Sequence, residues 1–309
     1  MLEQRGTFRI ALLSSGMARS FSHPILVTNL WQNVMEPLNA SLFAALDPSY
    51  EANHEKHYNP KLERTLSEVW RLKTALKWLG AVDWLILGDR SEPRNVELTI
   101  NARSSGCQTG PPQFFKLHLV YLLMRRHEEL TGSVYDFAFR LRPDHFFTSP
   151  MAHVPVGPPA VHWNRDDNFA LASGAAIPVF FEVYESISAK CLWFSKNGTL
   201  VTNLLGLAND RTCDPKLNRI PYWDCFLRSN LHYHRTPSIR YKAPFILARV
   251  CHNDHSRAYR EGCLVRSLHC EPLWDVGRRG GLASNITLPC AESFSSALRE
   301  AEGVRRRRR

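Results

Sequence analysis

Two arginines and an aspartate lie close together in residues 135–150, which read YDFAFRLRPDHFFTSP. Apolar and mostly polar residues alternate as far as Arg142, which is the pattern of a β-strand with two different faces. Pro143 has no backbone N–H and should end the strand, so that Asp144 follows its carboxyl end. Because side chains alternate between the two faces of a strand, Arg140, Arg142 and Asp144 should point in one direction. Charges placed there need a partner. One alternative is a bound ligand that supplies an anion and a cation. The other is a structural ion pair, which Arg140 would form with Asp144 or with a residue of a neighbouring strand.

A second pair of carboxylates, Asp166 and Asp167, precedes an apolar segment that we expect to become a helix at about residues 175–187. One interpretation is that these aspartates cap the helix N-terminus, and each cap would stabilise the helix by about 1 kcal/mol. The other interpretation is catalytic: one carboxylate acts as a general base, and the other positions a substrate hydroxyl. Both interpretations stay open at this point.

A third candidate site follows the first predicted strand, at residues 9–14. This short apolar run is typical of a central parallel strand, and it leads into a small-residue loop with Gly16 and Arg19, then into a helix at about residues 24–37. A strand, a glycine turn and a helix N-terminus together can bind phosphate through free backbone N–H groups. The alternative is an ordinary turn, because the second and third glycines of a dinucleotide-binding fingerprint are missing.

The elements that would position these residues alternate between strands and helices. We expect further strands at residues 41–46 and 82–87, helices at 62–79 and 113–130, a surface loop at 91–112, a helix at 221–230 and an edge strand at 239–249. The helix at 62–79 should stop at Gly80. This order predicts an α/β fold with a mostly parallel central sheet flanked by helices. Ligands of such sheets bind beyond the carboxyl ends of the strands, and we therefore expect Gly16, Asp89 and Asp144 to face one cleft.

The net charge of +10 would suit nucleic acid, but the location of the positive charges does not support that partner. Five of the positive charges form the terminal run Arg305 to Arg309, which we expect to be a disordered tail. The other basic residues form no stripe with aromatic residues and no nucleic-acid reader motif, so we expect no nucleic-acid partner. A mildly basic body suits a substrate such as a nucleotide diphosphate.

Cysteines and glycosylation motifs favour an oxidising compartment. Seven of the eight cysteines fall at or after Cys191, and three N-glycosylation sequons begin at Asn39, Asn197 and Asn285. Neither a signal peptide nor a segment of membrane-spanning length is present in the sequence. We therefore predict disulfides and glycans in the lumen of the Golgi or endoplasmic reticulum, with membrane attachment only through an anchor that this sequence does not include. A cytoplasmic protein with free thiols is the alternative.

Several of these motifs resemble those of nucleotide-sugar-dependent glycosyltransferases of GT-A type, in particular poorly characterised members with a Tyr-Asp…Arg-x-Arg-Pro-Asp strand. The matching residues of that strand are Tyr135, Asp136, Arg140, Arg142, Pro143 and Asp144. Weaker similarities lie at Gly16 with residues 19–21, at residues 29–43, at residues 167–172 and at Arg249. Together they cover roughly residues 8–250.

The resemblance implies a GT-A fold, Rossmann-like in its sheet, that transfers a hexose from a nucleotide-diphosphate sugar to a hydroxyl of a glycan, protein or lipid acceptor. Asp144 would take the place of the acidic motif that binds Mg²⁺ or Mn²⁺, although Arg142 stands where the usual Asp-x-Asp motif has its first aspartate. Arg142 could instead neutralise the diphosphate itself. The donor side would include Gly16, Arg19, Asp89 and Arg140. If the reaction inverts, Asp167, or Asp166 beside it, would be the acceptor base.

The resemblance divides the chain into a catalytic domain at residues 1–250, a cysteine-containing extension at 251–303 and a basic tail at 304–309. Two other classes stay open. One is a non-catalytic protein of the same fold that binds a nucleotide or a glycan. The other is a zinc protein that uses the histidines and cysteines of the C-terminal third, although their spacings match no common zinc module.

Overall fold

A computed structural model describes residues 8–18, 21–48, 66–87, 112–151, 153–163, 169–184, 227, 230–241, 243–251, 262–265 and 274–275, and the statements below concern these residues. Their main feature is a seven-stranded sheet. Its strands are β1 Ile10–Met17, β2 Ser41–Asp47, β3 Asp83–Ile86, β4 Phe137–Leu141, β6 Val161–Trp163, β7 Ala170–Ser173 and β8 Ser238–Arg240. They lie in the order β3-β2-β1-β4-β7-β6-β8.

The pairing of the strands confirms the predicted mixed α/β fold with a mostly parallel sheet. β1 pairs in parallel with β2 and β4, β2 with β3, and β6 with β8. β4 is the central strand, as expected. β7 was not predicted as a strand, and it runs antiparallel to both β4 and β6.

Helices cover both faces of the sheet. They are α1 Pro24–Leu30, a π-helical turn Trp31–Met35, α2 Glu36–Leu38, α3 Leu66–Leu79, α4 Pro112–Thr131 and α5 Ala176–Phe181. On one face, Leu13 and Ala138 belong to a buried layer with residues of α4 and α5. On the other face, Leu12 and Phe139 belong to a layer with residues of α1 and α3. Because both faces are buried, the strands from β1 to β4 are apolar runs with little alternation.

The three long predicted helices are confirmed at the ends that the structure describes, whereas residue 62, the expected start of the second, lies outside the described residues. α3 is followed by Gly80 with φ 68°, and α4 begins at Pro112 and is followed by Gly132 with φ 66°. Glycine takes the left-handed conformation after a helix without steric cost, and proline fits the first turn. His23 caps α1, since its side chain accepts a hydrogen bond from the N–H of Ile25.

The predicted edge strand at 239–249 is wrong, because the chain forms two strands there in two sheets. β8 lies at the edge of the seven-stranded sheet, whereas β9, Phe245–Cys251, lies inside a four-stranded sheet. The other strands of that sheet are β5 His145–Phe147, β10 Gly262–Val265 and β11 Trp274–Asp275, and the order is β11-β10-β9-β5. Pro244 separates β8 from β9, since it has no N–H to continue a ladder.

The start of the helix expected at about residues 175–187 is confirmed, but its capping by Asp166 and Asp167 is not. β7 lies between the two aspartates and this helix, and α5 begins at Ala176 with Ala175 as its N-cap. The aspartates therefore do not cap this helix. A short apolar run has no periodicity that separates a strand from a buried helix, which explains why β7 was not predicted.

Several predicted features lie outside the described residues. These are the loop at 91–112 apart from Pro112, most of the helix at 221–230, six of the eight cysteines and the basic tail. The domain division stays a prediction, and β9 continues through residue 250 to Cys251. Within the described ranges, no helix combines the length and the hydropathy needed to cross a membrane.

Candidate functional site

The strand order reverses at β1, and this reversal defines where a ligand would bind. From β1 the chain moves to β2 and β3 on one side, and it then crosses through α4 to β4 on the other side. Open α/β sheets bind their ligands at such a switch point, in the crevice beyond the carboxyl ends of the two strands. Here these are the carboxyl ends of β1 and β4.

A cleft lies at this switch point, between the sheet and α1. It is a narrow crevice: of about 300 Å³ of empty volume with open solvent included, only about 10 Å³ is cavity space that a water molecule can occupy. The lining residues are Ser14, Phe21, Leu26, Val27, Leu30, Leu141, Arg142, Pro143 and His145. The walls are therefore mainly apolar, and the charged side chain among these residues is that of Arg142.

Gly16 brings the two strand ends together. The strand β1 continues through Met17, so Gly16 lies within it and not in the loop that the sequence predicted. Its φ is +138°, and a Cβ at this position would lie 3.3 Å from Cδ of Pro143. The missing side chain thus lets the segment after β4 pack closely against β1. Arg19 and Asp89, which were expected at the same cleft, lie outside the described residues.

The segment after β4 is a tight turn from Arg142 to His145. The N–H of His145 donates to the carbonyl of Arg142 at 3.2 Å, and Pro143 occupies the position of the turn that prefers proline. Inside this turn Arg142 and Asp144 form a two-pronged ion pair, with Nε to Oδ1 at 2.9 Å and Nη2 to Oδ2 at 3.0 Å. The side chain of Asp144 is 1% exposed and that of Arg142 is 22% exposed. An ion pair was one of the predicted alternatives, and the structure shows one between Asp144 and Arg142, a pairing that the sequence did not predict.

Arg140 does not line the cleft. It is 4% exposed and lies in β4, paired in register with Leu13 of β1 and Ala170 of β7. Its neighbours Phe139 and Leu141 face the layer of α1 and α3, so Arg140 points to the opposite layer. The expectation that Arg140, Arg142 and Asp144 share one direction fails because β4 ends at Leu141, before the other two residues.

His145 is a residue of the cleft that sequence reasoning missed. It is 5% exposed, and its ring centroid lies 4.2 Å from that of Phe245 in β9. Its Nδ1 lies 3.4 Å from the backbone N of Arg142, which donates to it, so the neutral ring carries its hydrogen on Nε2. The feature of the sequence that could have identified His145 is its position directly after Asp144.

Asn29 was likewise not recognised as a site residue. Its Nδ2 donates to the carbonyl of Phe147 at 2.9 Å, and its Oδ1 accepts from the N–H of the same residue at 2.7 Å. Asn29 is buried in α1, and Phe147 is the last residue of β5. This double hydrogen bond fixes the α1 wall of the cleft against the strand that follows the turn.

A second ion pair lies at the carboxyl edge of the sheet. Nζ of Lys116 in α4 is 2.7 Å from Oδ2 of Asp47, the last residue of β2. Asp47 is paired in register with Met17 at the end of β1. The pair fixes α4 against this edge, and its two residues stand too far apart in the sequence to be matched by any local pattern.

The predicted divalent metal at Asp144 does not fit the surroundings of that residue. Both carboxylate oxygens already accept hydrogen bonds from Arg142, and Mg²⁺ or Mn²⁺ requires several oxygen ligands. The part of the chain that the structure describes contains no group of three or more His, Cys, Asp or Glu side chains placed to hold a metal. Asp166 and Asp167 fall outside that part.

Comparison with protein families and with curated proteins finds no match for this chain. Among solved structures, the apo form of the glycosyltransferase GlyE from Streptococcus pneumoniae TIGR4 overlaps with 75% of this chain at 9% identity and a TM-score of 0.30. A second GlyE structure overlaps with 76% at 9% identity and a TM-score of 0.32. A mutant transferase overlaps with 78% at 15% identity and a TM-score of 0.31, and the overlap covers 92% of that protein. The chain spans only 45% and 46% of the two GlyE chains. TM-scores this low carry no argument about function.

Proposed function

We propose that this chain is a glycosyltransferase of GT-A type that binds a nucleoside-diphosphate sugar in the cleft beyond β1 and β4. The observation that carries the proposal is the guanidinium of Arg142 at the switch point of the sheet, in a cleft whose walls are otherwise mainly apolar. A diphosphate needs such a cation, and apolar walls suit the base and the sugar ring. The resemblance of the Tyr-Asp…Arg-x-Arg-Pro-Asp segment to such enzymes narrows the ligand to a sugar nucleotide.

In the proposed reaction, Arg142 stabilises the leaving diphosphate. Negative charge grows on the diphosphate as the glycosidic bond breaks, so a fixed cation stabilises the transition state more than the ground state. Arg19 and Asp89 are proposed from the sequence as further donor contacts. Asp167, or Asp166 beside it, is proposed to take the proton from the acceptor hydroxyl if the reaction inverts.

A screen of nucleotide sugars by thermal shift tests the proposal. A donor that binds only the folded protein raises the melting temperature by mass action. We expect one class of sugar nucleotide to do so, and we expect slow hydrolysis of this donor without acceptor. If no sugar nucleotide shifts the melting temperature, the proposal is wrong. Binding without hydrolysis or transfer would identify a nucleotide-binding protein of the same fold.

Asp167→Asn tests the proposed base. The substitution keeps the shape of the side chain and removes its basicity, so we expect kcat to fall by about a hundredfold or more while the donor Kd stays unchanged. Steady-state kinetics and donor titration measure the two effects separately. Asp166→Asn is the matched control, and a larger fall in kcat for this variant would transfer the role of base to Asp166.

A further inference from the structure

We propose that Asp144 holds Arg142 in place as the cation of the diphosphate site, so that the donor binds without a divalent metal. The inference rests on the proposed function, because it concerns the same cleft. It gives Asp144 the role of a positioning residue and makes Arg142 the group that touches the ligand.

The difference in exposure between the two side chains supports this division of roles. Asp144 is 1% exposed and is not among the residues that line the cleft, whereas Arg142 is 22% exposed and lines it. A ligand that enters the cleft therefore reaches the guanidinium and not the carboxylate. Asp144 acts on the ligand only through Arg142.

The geometry of the ion pair fixes the orientation of the guanidinium. Two parallel contacts of 2.9 and 3.0 Å hold its Nε and Nη2 edge to the two oxygens of Asp144. A guanidinium has five N–H donors in a rigid plane, and this contact uses two of them. One point contact would leave the plane free to rotate, but the paired contact does not.

The backbone under the ion pair is also constrained. Pro143 has a fixed φ, and its ring lies against Gly16 of the neighbouring strand, where a Cβ would come within 3.3 Å of Cδ. The hydrogen bond from His145 to the carbonyl of Arg142 closes the turn. The cation is thus preorganised before the ligand arrives, which is the condition under which a fixed charge contributes most to catalysis.

A metal ion at Asp144 would compete with this arrangement. To ligate Mg²⁺ or Mn²⁺, the carboxylate would have to share the two oxygens that already accept hydrogen bonds from Arg142. The metal would then place a second cation beside the guanidinium, inside a buried turn. The ion pair with Arg142 already neutralises the buried carboxylate, so a metal there would add an unbalanced positive charge.

Calorimetric titration with uridine, guanosine and adenosine diphosphates tests the inference on the parent protein. For the nucleotide that binds, we expect the Kd in excess EDTA and in excess MnCl₂ to agree within about threefold. Binding in MnCl₂ that is lost in EDTA would overturn the inference and leave the proposed function standing. If no nucleoside diphosphate binds in either buffer, both are wrong.

Two variants separate positioning from a structural role. Arg142→Gln should weaken diphosphate binding by about tenfold or more, and Asp144→Asn by a smaller factor, because the guanidinium is still present but no longer oriented. The affinity for the uncharged nucleoside should stay unchanged in both, whereas a disturbed fold would weaken nucleoside and diphosphate together. Diphosphate binding by Asp144→Asn at the parental affinity would overturn the positioning role.

Arg125→Gln is the matched control for the removal of a positive charge. Arg125 forms an ion pair with Glu128, whose Oε1 accepts from the N–H of Tyr135, just before β4 begins. This pair therefore lies at the opposite end of β4 from the cleft. We expect parental diphosphate affinity in this variant, and a loss equal to that of Arg142→Gln would show that the effect is only one of net charge.

Discussion

Asn29 is the residue whose side chain does most to connect the two walls of the cleft. It satisfies both the N–H and the carbonyl of Phe147, and both groups are buried. Asn29→Ala removes the acceptor of this N–H and leaves the carbonyl with the longer contact from Asn33, so we expect the free energy of unfolding to fall by about 1–3 kcal/mol. Asn29→Asp should cost more, because a buried carboxylate oxygen would face the carbonyl of Phe147. Chemical denaturation measures both losses.

Asn33→Ala is the control for this prediction. The Nδ2 of Asn33 reaches the same carbonyl at 3.3 Å, but the contact is only partly buried and one-sided. Its loss should cost about 1 kcal/mol or less. A cost for Asn33→Ala that equals or exceeds the cost for Asn29→Ala would contradict the assigned role of Asn29.

At this scale, the sequence identified the site residues that are adjacent in the chain but not those that meet across it. Arg142 and Asp144 are two residues apart, so the motif alone pointed to their charges, although their pairing with each other was not predicted. The contact between Asn29 and Phe147 spans 118 residues. No local pattern reports such a pair, because it depends on how α1 and β5 pack. His145 was missed because it looks like the first residue of an apolar strand.

At the scale of elements, the close packing of the turn after β4 on β1 depends on Gly16. Gly16→Ala would introduce a Cβ at 3.3 Å from Pro143 and would also force an L-residue to φ +138°. We expect a loss of about 2–3 kcal/mol in stability together with weaker diphosphate binding, because the turn that carries Arg142 would shift. Thermal denaturation and calorimetry on the same sample measure both effects.

Gly132→Ala separates strain from crowding. Gly132 also has a positive φ, +66°, but nothing lies within 4 Å of a Cβ built there. This variant should lose only about 1 kcal/mol and keep the parental diphosphate affinity. If Gly132→Ala destabilises the protein as much as Gly16→Ala, the contact with Pro143 is not the reason for the glycine.

His162 makes the pairing of β6 sensitive to acid. The residue is paired with Leu171 of β7 and Ile239 of β8, and burial lowers the pKa of its imidazole below the ordinary value. The unfolded chain therefore takes up a proton first as the pH falls, and stability decreases below about pH 6.5. His162→Gln should flatten this decrease in denaturation curves recorded between neutral and mildly acidic pH. The exposed His232 is the control position, and an equal flattening by His232→Gln would contradict the assignment.

The alternation of strands and helices from β1 to β4 was predictable because both signals are strong there. Long amphipathic helices with glycine stops repeat an apolar spacing over several turns, and fully buried parallel strands are continuous apolar runs. After β4 the described strands are only two to seven residues long. Such short runs do not specify their partner or direction, which is why β7 and the split between β8 and β9 were not predicted.

At the scale of the whole molecule, the lumenal compartment is still a prediction. The N-glycosylation sequon at Asn39 makes it testable. Asn39 is exposed, and it follows α2 in the left-handed conformation with φ 48°. It stands two residues before β2 begins, at the amino edge of the sheet, whereas the cleft lies beyond the carboxyl ends. A glycan on Asn39 would therefore project away from the proposed donor site and leave it open.

Expression of the chain behind a signal peptide in eukaryotic cells tests this placement. We expect mass spectrometry to find a glycan on Asn39 and disulfides among the cysteines from Cys191 onward. Asn39→Asp should remove that glycan and leave nucleoside-diphosphate affinity unchanged, because aspartate tolerates the left-handed conformation and the cleft lies at the other edge. Ser41→Thr, which preserves the sequon, is the matched control and should remain glycosylated. Secreted protein with all thiols free and no glycan on Asn39, Asn197 or Asn285 would contradict the lumenal compartment, because an oxidising lumen that holds the glycosylation machinery would have modified both kinds of residue.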